Sequence, residues 1–323
     1  MGANPFARAI YFIKEKFMTA VLIPCYNEAL TIENVIKDFR KEMPHAEIYV
    51  YDNNSTDGTS DIVTKLQKKD KKLHLKHEYK QGKGNVVRSM LRDIDADCYI
   101  VVDGDDTYPA KFGPELEKLV LSGEADMAVG DRLSGAYFEE NKRAFHNFGN
   151  VLVKNLINML FKADLHDIMT GARAFSKEFG KSYAILCKGF EIETDMTIFA
   201  LDNNFRIVER EIEYRDRPEG SESKLKTYSD GAKVLMTIGR LFRDVKPFAF
   251  FGIISLILFI ISMCFFIPIC FDYLATGVVL RFPTLIVTAA IMIASLMTFF
   301  CGVILSVLKR YHRADFERYL NRL

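Results

Sequence analysis

The sequence predicts an α/β domain on a mostly parallel sheet, followed by two transmembrane α-helices. Three observations carry that expectation. Across residues 19–131, short apolar runs rich in β-branched residues alternate with amphipathic, helix-like stretches, as in sheets whose parallel strands are joined by crossover helices. A polar cluster follows each apolar run. Nearer the C-terminus, two apolar stretches are each long enough to cross a bilayer.

The elements follow in order. Residues 1–18, "MGANPFARAIYFIKEKFM", carry an apolar stripe with basic residues between, which fits a short interfacial helix better than an unordered start. Phe6 breaks the myristoylation pattern, and no secretory signal is visible. "TAVLIP" is the first strand, with a helix around "TIENVIKDFRKEM". "AEIYVYD" and "TSDIVTKLQKK" are the second strand and helix, "LHLKHE" and "GNVVRSMLRDI" the third pair. "DCYIVVD" and "GPELEKLVL" form the fourth pair, and "ADMAVGD" is a fifth strand. Residues 144–161, "AFHNFGNVLVKNLINMLF", read as an amphipathic helix, equally suited to a core and to a lipid interface. Residues 230–247 show a similar pattern leading straight into an apolar run, which favours a juxtamembrane helix. The cytosolic domain thus covers residues 19–229.

Residues 248–308 hold the two spans. Phe248 to Phe271 contains no charge, and neither does Pro283 to Leu308. Soluble helices rarely stay apolar on all sides over such a length. Arg240, Arg243 and Lys246 precede the first span, Lys309, Arg310, Arg313, Arg318 and Arg322 follow the second in the tail 309–323, and the link between them has only Arg281. The positive-inside rule then puts both flanks and the large N-terminal part in the cytosol, with the link outside, as in a multi-pass protein of the cytoplasmic membrane.

Composition narrows the partners. The 323 residues hold 43 Lys and Arg against 42 Asp and Glu, a net charge of +1 that gives no argument for nucleic acid. The six cysteines form no CxxC pair, which excludes a disulfide framework and a thiolate zinc site.

The stretch "IVVDGDDTYPA" concentrates charge most sharply. Asp103, Asp105 and Asp106 follow directly on an apolar run. Neighbouring carboxylates repel unless a cation lies between them. Asp103 and Asp105 are two apart, so on an extended segment they point the same way, as two hard oxygen ligands for Mg²⁺ or Mn²⁺ would. Turn chemistry accounts for "DGDDTYP" equally well. The other strand ends tip the balance: "PCYNE", "DNNSTDGT", "KQGKGN" and "GDR" each follow a strand, and ligands of such sheets bind beyond the strands' carboxyl ends. Five polar clusters on one rim favour a metal and nucleotide site.

Together "PCYNE", "DNNSTDGT", "GKGN", "VDGDDTYP", "MTGARAF" and "RPEGSESKL" resemble, in this order, the family 2 glycosyltransferases of GT-A fold. They are most similar to the polyprenyl-phosphate sugar transferases of the dolichyl-phosphate mannose synthase-like branch. The two C-terminal spans resemble bacterial members that load a sugar onto undecaprenyl phosphate. The resemblance covers roughly residues 19–308. It implies that Pro24, Tyr26, Glu28, Asp52, Asn53, Lys83 and Asp103 bind the donor nucleotide, and that Asp103 and Asp105 hold the metal. Many relatives carry two aspartates where this chain has Asp52-Asn53. Asn53 can accept from and donate to a base, which suits uracil and guanine alike.

The acceptor would be a lipid phosphate, largely dianionic at neutral pH. The family motifs imply that Arg132, Arg173, Arg217, Ser223 and Lys224 hold it, with Arg143 a weaker candidate. Asp105, Arg132, Arg173 and Lys224 would be the catalytic set. Glu191 and Glu193 would orient the donor sugar or the basic cluster. The implied reaction is an inverting displacement at the anomeric carbon. UDP-GlcNAc is the first choice of donor and UDP-glucose the second, with GDP-mannose open. A homotetramer is the assembly this type of relative implies. A processive polysaccharide synthase is excluded by the lack of any Trp and by the two spans. A non-catalytic nucleotide-binding scaffold is disfavoured because Asp103 and Asp105 are both present.

Overall fold

The computed structural model describes residues 17–133, 144–185 (backbone only for 144–150), 192–215, 239, 240 and 242–322. The chain divides into two compact units. One comprises Met1–Lys154 with Asp164–Leu225, the other Asn155–Ala163 with Lys226–Leu323.

The first unit is built on a seven-stranded sheet, ordered β3-β2-β1-β4-β6-β5-β7. β1 (Thr19–Cys25), β2 (Glu47–Asp52), β3 (Leu73–His77) and β4 (Cys98–Val101) run parallel. They alternate with α1 (Ile32–Glu42), α2 (Thr59–Gln67) and α3 (Lys83–Asp93). A short 3₁₀ turn and α4 (Gly113–Leu121) lead to β5 (Met127–Asp131). α5 (Ala144–Phe161) precedes β6 (Arg173–Ser176), α6 (Lys177–Ser182), α7 (Ile192–Asp202) and β7 (Ile207–Glu211).

β1 is buried on both faces, which explains its unbroken apolar sequence. Val21, Ile23 and Cys25 join Val35, Ile36 and Phe39 of α1, Val63 of α2 and Leu116 of α4 in one core layer. Ala20 and Leu22 face the other layer with Val87 and Met90 of α3, Phe179 of α6 and Met196 of α7. Alternation along the strand thus sends its side chains into two separate helical layers. Ser176 caps α6, its Oγ accepting from Phe179 N at 3.2 Å.

The five strands read from sequence are present, with ends shifted by at most two residues. Two more complete the sheet. β6 runs antiparallel between β4 and β5, with Arg173 opposite both Val101 and Val129. An antiparallel strand brings its starting residues to the rim where its parallel neighbours end, so Thr170–Arg173 reach the polar rim from the opposite direction. β7 pairs parallel with β5 at the sheet edge.

The second unit contains α8 (Pro247–Thr276) and α9 (Phe282–Leu320), both long and apolar enough to cross a membrane. Their most apolar windows are only 17% and 11% buried, too exposed for core helices of a soluble domain. Ser255, Ser262 and Ile269 on α8 and Thr288, Ser295 and Gly302 on α9 are buried at seven-residue intervals. Small residues let the helix backbones approach: Ser255 Oγ donates to Ser295 O at 2.8 Å, Ser295 Oγ to Ser255 O at 2.9 Å, and Ser262 Oγ to Thr288 O at 3.1 Å. A Cβ on Gly302 would lie 2.9 Å from Phe251 Cβ. The basic tail expected at 309–323 is not a separate element, since α9 continues through it to Leu320. The expected segment 1–18 and the juxtamembrane helix 230–247 fall largely outside the described residues.

Candidate active site

Three loops at the ends of β1, β2 and β3 are braced against one another. Asn27 N donates to Ser55 Oγ and Ala29 N to Asp57 Oδ2, both at 2.9 Å, while Asn27 Oδ1 accepts from Thr56 N at 2.8 Å. Glu28 N donates to Thr59 Oγ1 at 2.9 Å. Asn27, Asn54 and Asp106 sit at positive φ (54°, 66° and 59°), a region that Asn and Asp enter more readily than other residues. Tyr26 is partly exposed on this rim, and Pro24 lies in β1 opposite Tyr51. Asp52 is buried, its carboxylate accepting from Ser55 N at 3.2 Å with His77 Nδ1 at 3.6 Å.

Asn53 departs from the role expected of it. Its Nδ2 donates to Glu78 O at 2.6 Å and Lys80 O at 2.9 Å, and its Oδ1 accepts from Gly82 N at 2.7 Å. Both amide hydrogens are therefore committed to the chain, and the side chain is buried. Asn53 does not read a base here; it fixes the loop that delivers Lys83.

Lys83 opens α3 and points at the end of β4. Its Nζ lies 2.5 Å from Asp103 Oδ1 and 2.5 Å from Glu193 Oε1 of α7. Burial opposes the ammonium, yet Asp103 and Glu193 together raise its pKa above the ordinary lysine value. Asp103 therefore already carries a cation. Its Oδ2 lies against Gly171, where an added Cβ would overlap the carboxylate. Asp105 is buried, its Oδ1 accepting from Thr107 Oγ1 at 2.6 Å and Thr107 N at 3.2 Å. Thr31 Oγ1 donates to Gly104 O at 2.7 Å, tying this loop to the start of α1. Asp106 turns toward Arg215, 4.0 Å away.

A second cluster adjoins the first. Arg132 grips Asp167 with a two-pronged contact, Nε to Oδ2 at 2.7 Å and Nη2 to Oδ1 at 3.2 Å. Its guanidinium lies over the Tyr214 ring, 5.4 Å from the centroid. Burial opposes this charge too, but Tyr108 and Asp167 hold its pKa well above the usual arginine value. Tyr108 meets Tyr214 edge-on at 5.3 Å, and its hydroxyl accepts from Gly171 N at 2.9 Å. A continuous path of contacts thus runs from Asp103 through Gly171, Tyr108 and Tyr214 to Arg132. Arg215 N donates to Thr107 O at 2.9 Å, so the chain enters the "RPEGSESKL" segment pinned two residues beyond Asp105.

Arg173 is not part of this open surface. It is 1% exposed, with Nε donating to Thr170 O (3.1 Å), Nη1 to Thr197 Oγ1 (2.8 Å) and Nη2 to Ile168 O (2.7 Å). Burial lowers its pKa from the usual arginine value. The expectation that Arg173 grips a phosphate gives way to a positioning role: it fastens residues 168–170, next to Asp167, onto α7. Arg143, Arg217, Ser223, Lys224 and Glu191 lie outside the described residues.

The sheet, the rim and the ordered motifs meet in one comparison. The family model described as "Glycosyl transferase family 2" matches residues 20–182. The chain belongs to glycosyl transferase family 2. Its relatives include the glycosyltransferase AglJ of Haloferax volcanii, 27% identical over 303 residues, covering 92% of this chain and 96% of AglJ. The dolichyl-phosphate hexose transferase of the same organism is 29% identical over 217 residues, 67% of this chain and 90% of that protein. The glucosyl-3-phosphoglycerate synthase of Mycobacterium tuberculosis, solved with Mn²⁺, UDP-glucose and phosphoglyceric acid, shares the fold. It is 20% identical with a TM-score of 0.54, over 70% of this chain and 79% of that one.

The chain is therefore an enzyme, a family 2 glycosyltransferase of GT-A fold. The sequence motifs do not single out Asp167 or Tyr214, and they leave the partner of Glu193 open between the donor sugar and the basic cluster. Asp167 stands three residues ahead of "TGAR" in a glycosyltransferase motif, which was the available signal. Glu193 offered none, because its meeting with Lys83 spans 110 residues of chain.

Proposed function

We propose that this glycosyltransferase moves a sugar from a nucleotide sugar to a polyprenyl phosphate, with inversion at the anomeric carbon. The observation that carries the reading is the contact path from Asp103 to Arg132. It joins a carboxylate cluster suited to a cation and a diphosphate to a buried arginine suited to a second anion. Bringing two phosphate-bearing substrates together requires that their mutual repulsion be offset at both ends. The two long apolar helices and the lipid-phosphate acceptor in one relative's name support a membrane-bound substrate.

In this reading the rim loops of Pro24, Tyr26, Glu28 and Asp52 receive the nucleotide, with Asn53 holding the loop of Lys83. Asp103 and Asp105 fit a hard divalent ion, since both are carboxylates at one strand end and Asp103 already balances an ammonium. Bound there, Mg²⁺ or Mn²⁺ would neutralise charge on the leaving diphosphate. Lys83, now on Asp103 and Glu193, would turn toward that diphosphate. Arg132, stacked on Tyr214 and oriented by Asp167, would meet the acceptor phosphate, joined by Arg143, Arg217, Ser223 and Lys224. A phosphate dianion needs positioning rather than a general base. Basic residues on the outer flanks of the spans favour a cytosolic catalytic unit in the cytoplasmic membrane.

UDP-GlcNAc is the proposed donor, UDP-glucose the second choice and GDP-mannose the third. Detergent-solubilised protein offered each nucleotide sugar with undecaprenyl phosphate tests this. Transfer from one UDP-sugar into a lipid-extractable product is expected; transfer only to water-soluble acceptors would overturn the acceptor assignment.

A further inference from the structure

We propose that the end of the apolar hairpin where α8 begins and α9 leaves its apolar stretch is a binding surface for the headgroups of anionic phospholipids. The inference rests on the reading of α8 and α9 as membrane spans and is independent of which sugar or acceptor the enzyme uses.

Residues 240–246 and 309–313 hold six Lys and Arg against one carboxylate, Asp244. The fold brings the two stretches to one level. Lys309 Nζ donates to Val245 O at 2.8 Å and to Asp244 O at 3.3 Å. Two turns earlier in α9, a Cβ on Gly302 would lie 3.6 Å from Pro247 O. The first turn of α8 and the last apolar turns of α9 are therefore side by side, with the cations of both flanks just beyond them. α9 does not stop at this boundary. It runs on through residues 309–320, about 18 Å of further helix. Arg310 and Arg313 thus stand on a continuous helix, three residues apart on neighbouring positions of its surface.

Most of these charges have no internal counterion. Arg243 Nε pairs with Asp244 Oδ1 at 2.7 Å. Among the described residues no carboxylate pairs with Arg240, Lys246, Arg310 or Arg313, and the first three of these are exposed. Tyr311 and Phe248, 68% and 50% exposed, stand at the same level, where aromatic side chains favour the boundary between acyl chains and headgroups. Cations distributed over two helices along the edge of an apolar stretch match a layer of phosphodiesters better than one phosphate. Phosphatidylcholine offers the same phosphodiester with its own ammonium beside it. Phosphatidylglycerol lacks that competing charge, so the surface favours it. Near an anionic leaflet each Lys or Arg strengthens attraction about fivefold.

The test places the full-length protein in phosphatidylcholine vesicles containing a trace of spin-labelled phosphatidylglycerol or spin-labelled phosphatidylcholine. Electron paramagnetic resonance reads how much of each label the protein restrains. The wild type should restrain phosphatidylglycerol about fivefold more strongly or better. Salt at about 1 M, where screening acts within roughly 3 Å, should remove most of that preference. Lys246→Gln with Arg310→Gln should lower it at least about threefold, with native circular dichroism, since both side chains are exposed. Glycerol phosphate in the millimolar range, or one equivalent of undecaprenyl phosphate, should leave the preference in place; loss of it to either would assign the surface to that ligand and overturn the proposal. Equal restraint of both labels by an embedded protein overturns the proposal alone. A protein that sodium carbonate strips from the vesicles overturns the membrane reading beneath it as well.

Discussion

Replacing Asp167 with Asn probes the coupling of fold and site at one buried contact. Asp167 is 1% exposed and Arg132 14%, so water cannot repair the pair when one charge is lost. The asparagine keeps the shape but turns an N–H₂ toward one of three donors now served by the carboxylate: the Arg132 guanidinium, Arg132 N or Met169 N. Breaking a buried pair costs about 3–5 kcal/mol. The isosteric change belongs at the lower end, near 3 kcal/mol, which for a domain of this size lowers Tm by about 6–12 °C. Thermal unfolding in detergent measures this directly. Arg132→Gln should cost a similar amount, and the double variant clearly less than the sum, because either change alone destroys the same contact. Sugar transfer should fall in all three. If Asp167→Asn unfolds within about 2 °C of wild type and keeps its turnover, the pair neither stabilises the domain nor positions Arg132.

Other substitutions report on separate contacts. Gly171→Ala would drive a Cβ into the Asp103 carboxylate; turnover should drop about 100-fold while circular dichroism stays native, and retained turnover would free Asp103 from its assigned place. Asn53→Ala strips the 78–82 loop of three hydrogen bonds. It should destabilise by about 2–3 kcal/mol without changing the UDP-to-GDP preference, whereas altered base selectivity would restore Asn53 to the nucleotide pocket. Lys83→Met leaves Asp103 and Glu193 facing each other without their ammonium. Its Tm should fall, and Mn²⁺ should raise that Tm more than it raises the wild type's; an equal response would mean Lys83 and the metal do not share Asp103. In the apolar hairpin, Ser255→Cys with Ser295→Cys should cross-link readily, and Gly302→Ile should suppress the cross-link by wedging against Phe251.

The strands β1 to β5 were legible because each is a short apolar run closed by turn residues, and parallel strands buried on both faces leave that mark. β6 and β7 were not. "RAFS" is four residues long, and "IVERE" lies at an edge where charged side chains interrupt the pattern. Missing β6 had a consequence for the site. The motif expected to supply Arg173 to the acceptor phosphate runs into an antiparallel strand, which buries that arginine between Thr170, Ile168 and Thr197. The Asp103–Lys83 neighbourhood could be anticipated because both residues fall at ends of adjacent elements in an alternating α/β pattern. Glu193 and Tyr214 reach the rim only through tertiary packing, and local spacing carries no trace of such meetings; Asp167 is marked only by its place just ahead of "TGAR". Asn53 shows the converse: its amide chemistry suggested a base, but backbone groups of the neighbouring loop claimed it first.

The central claim is cation-assisted transfer from a nucleotide sugar to a lipid phosphate at the Asp103–Asp105 rim. Its most direct test follows label from UDP-[¹⁴C]GlcNAc into undecaprenyl phosphate, with wild type and Asp105→Asn assayed side by side in Mg²⁺, in Mn²⁺ and after chelation. The account predicts an organic-extractable, acid-labile product from the wild type with either ion. It predicts near-complete loss on chelation, and a variant of native Tm that makes almost none. Lipid-linked product formed at the wild-type rate by Asp105→Asn, or undiminished by chelation, would contradict it.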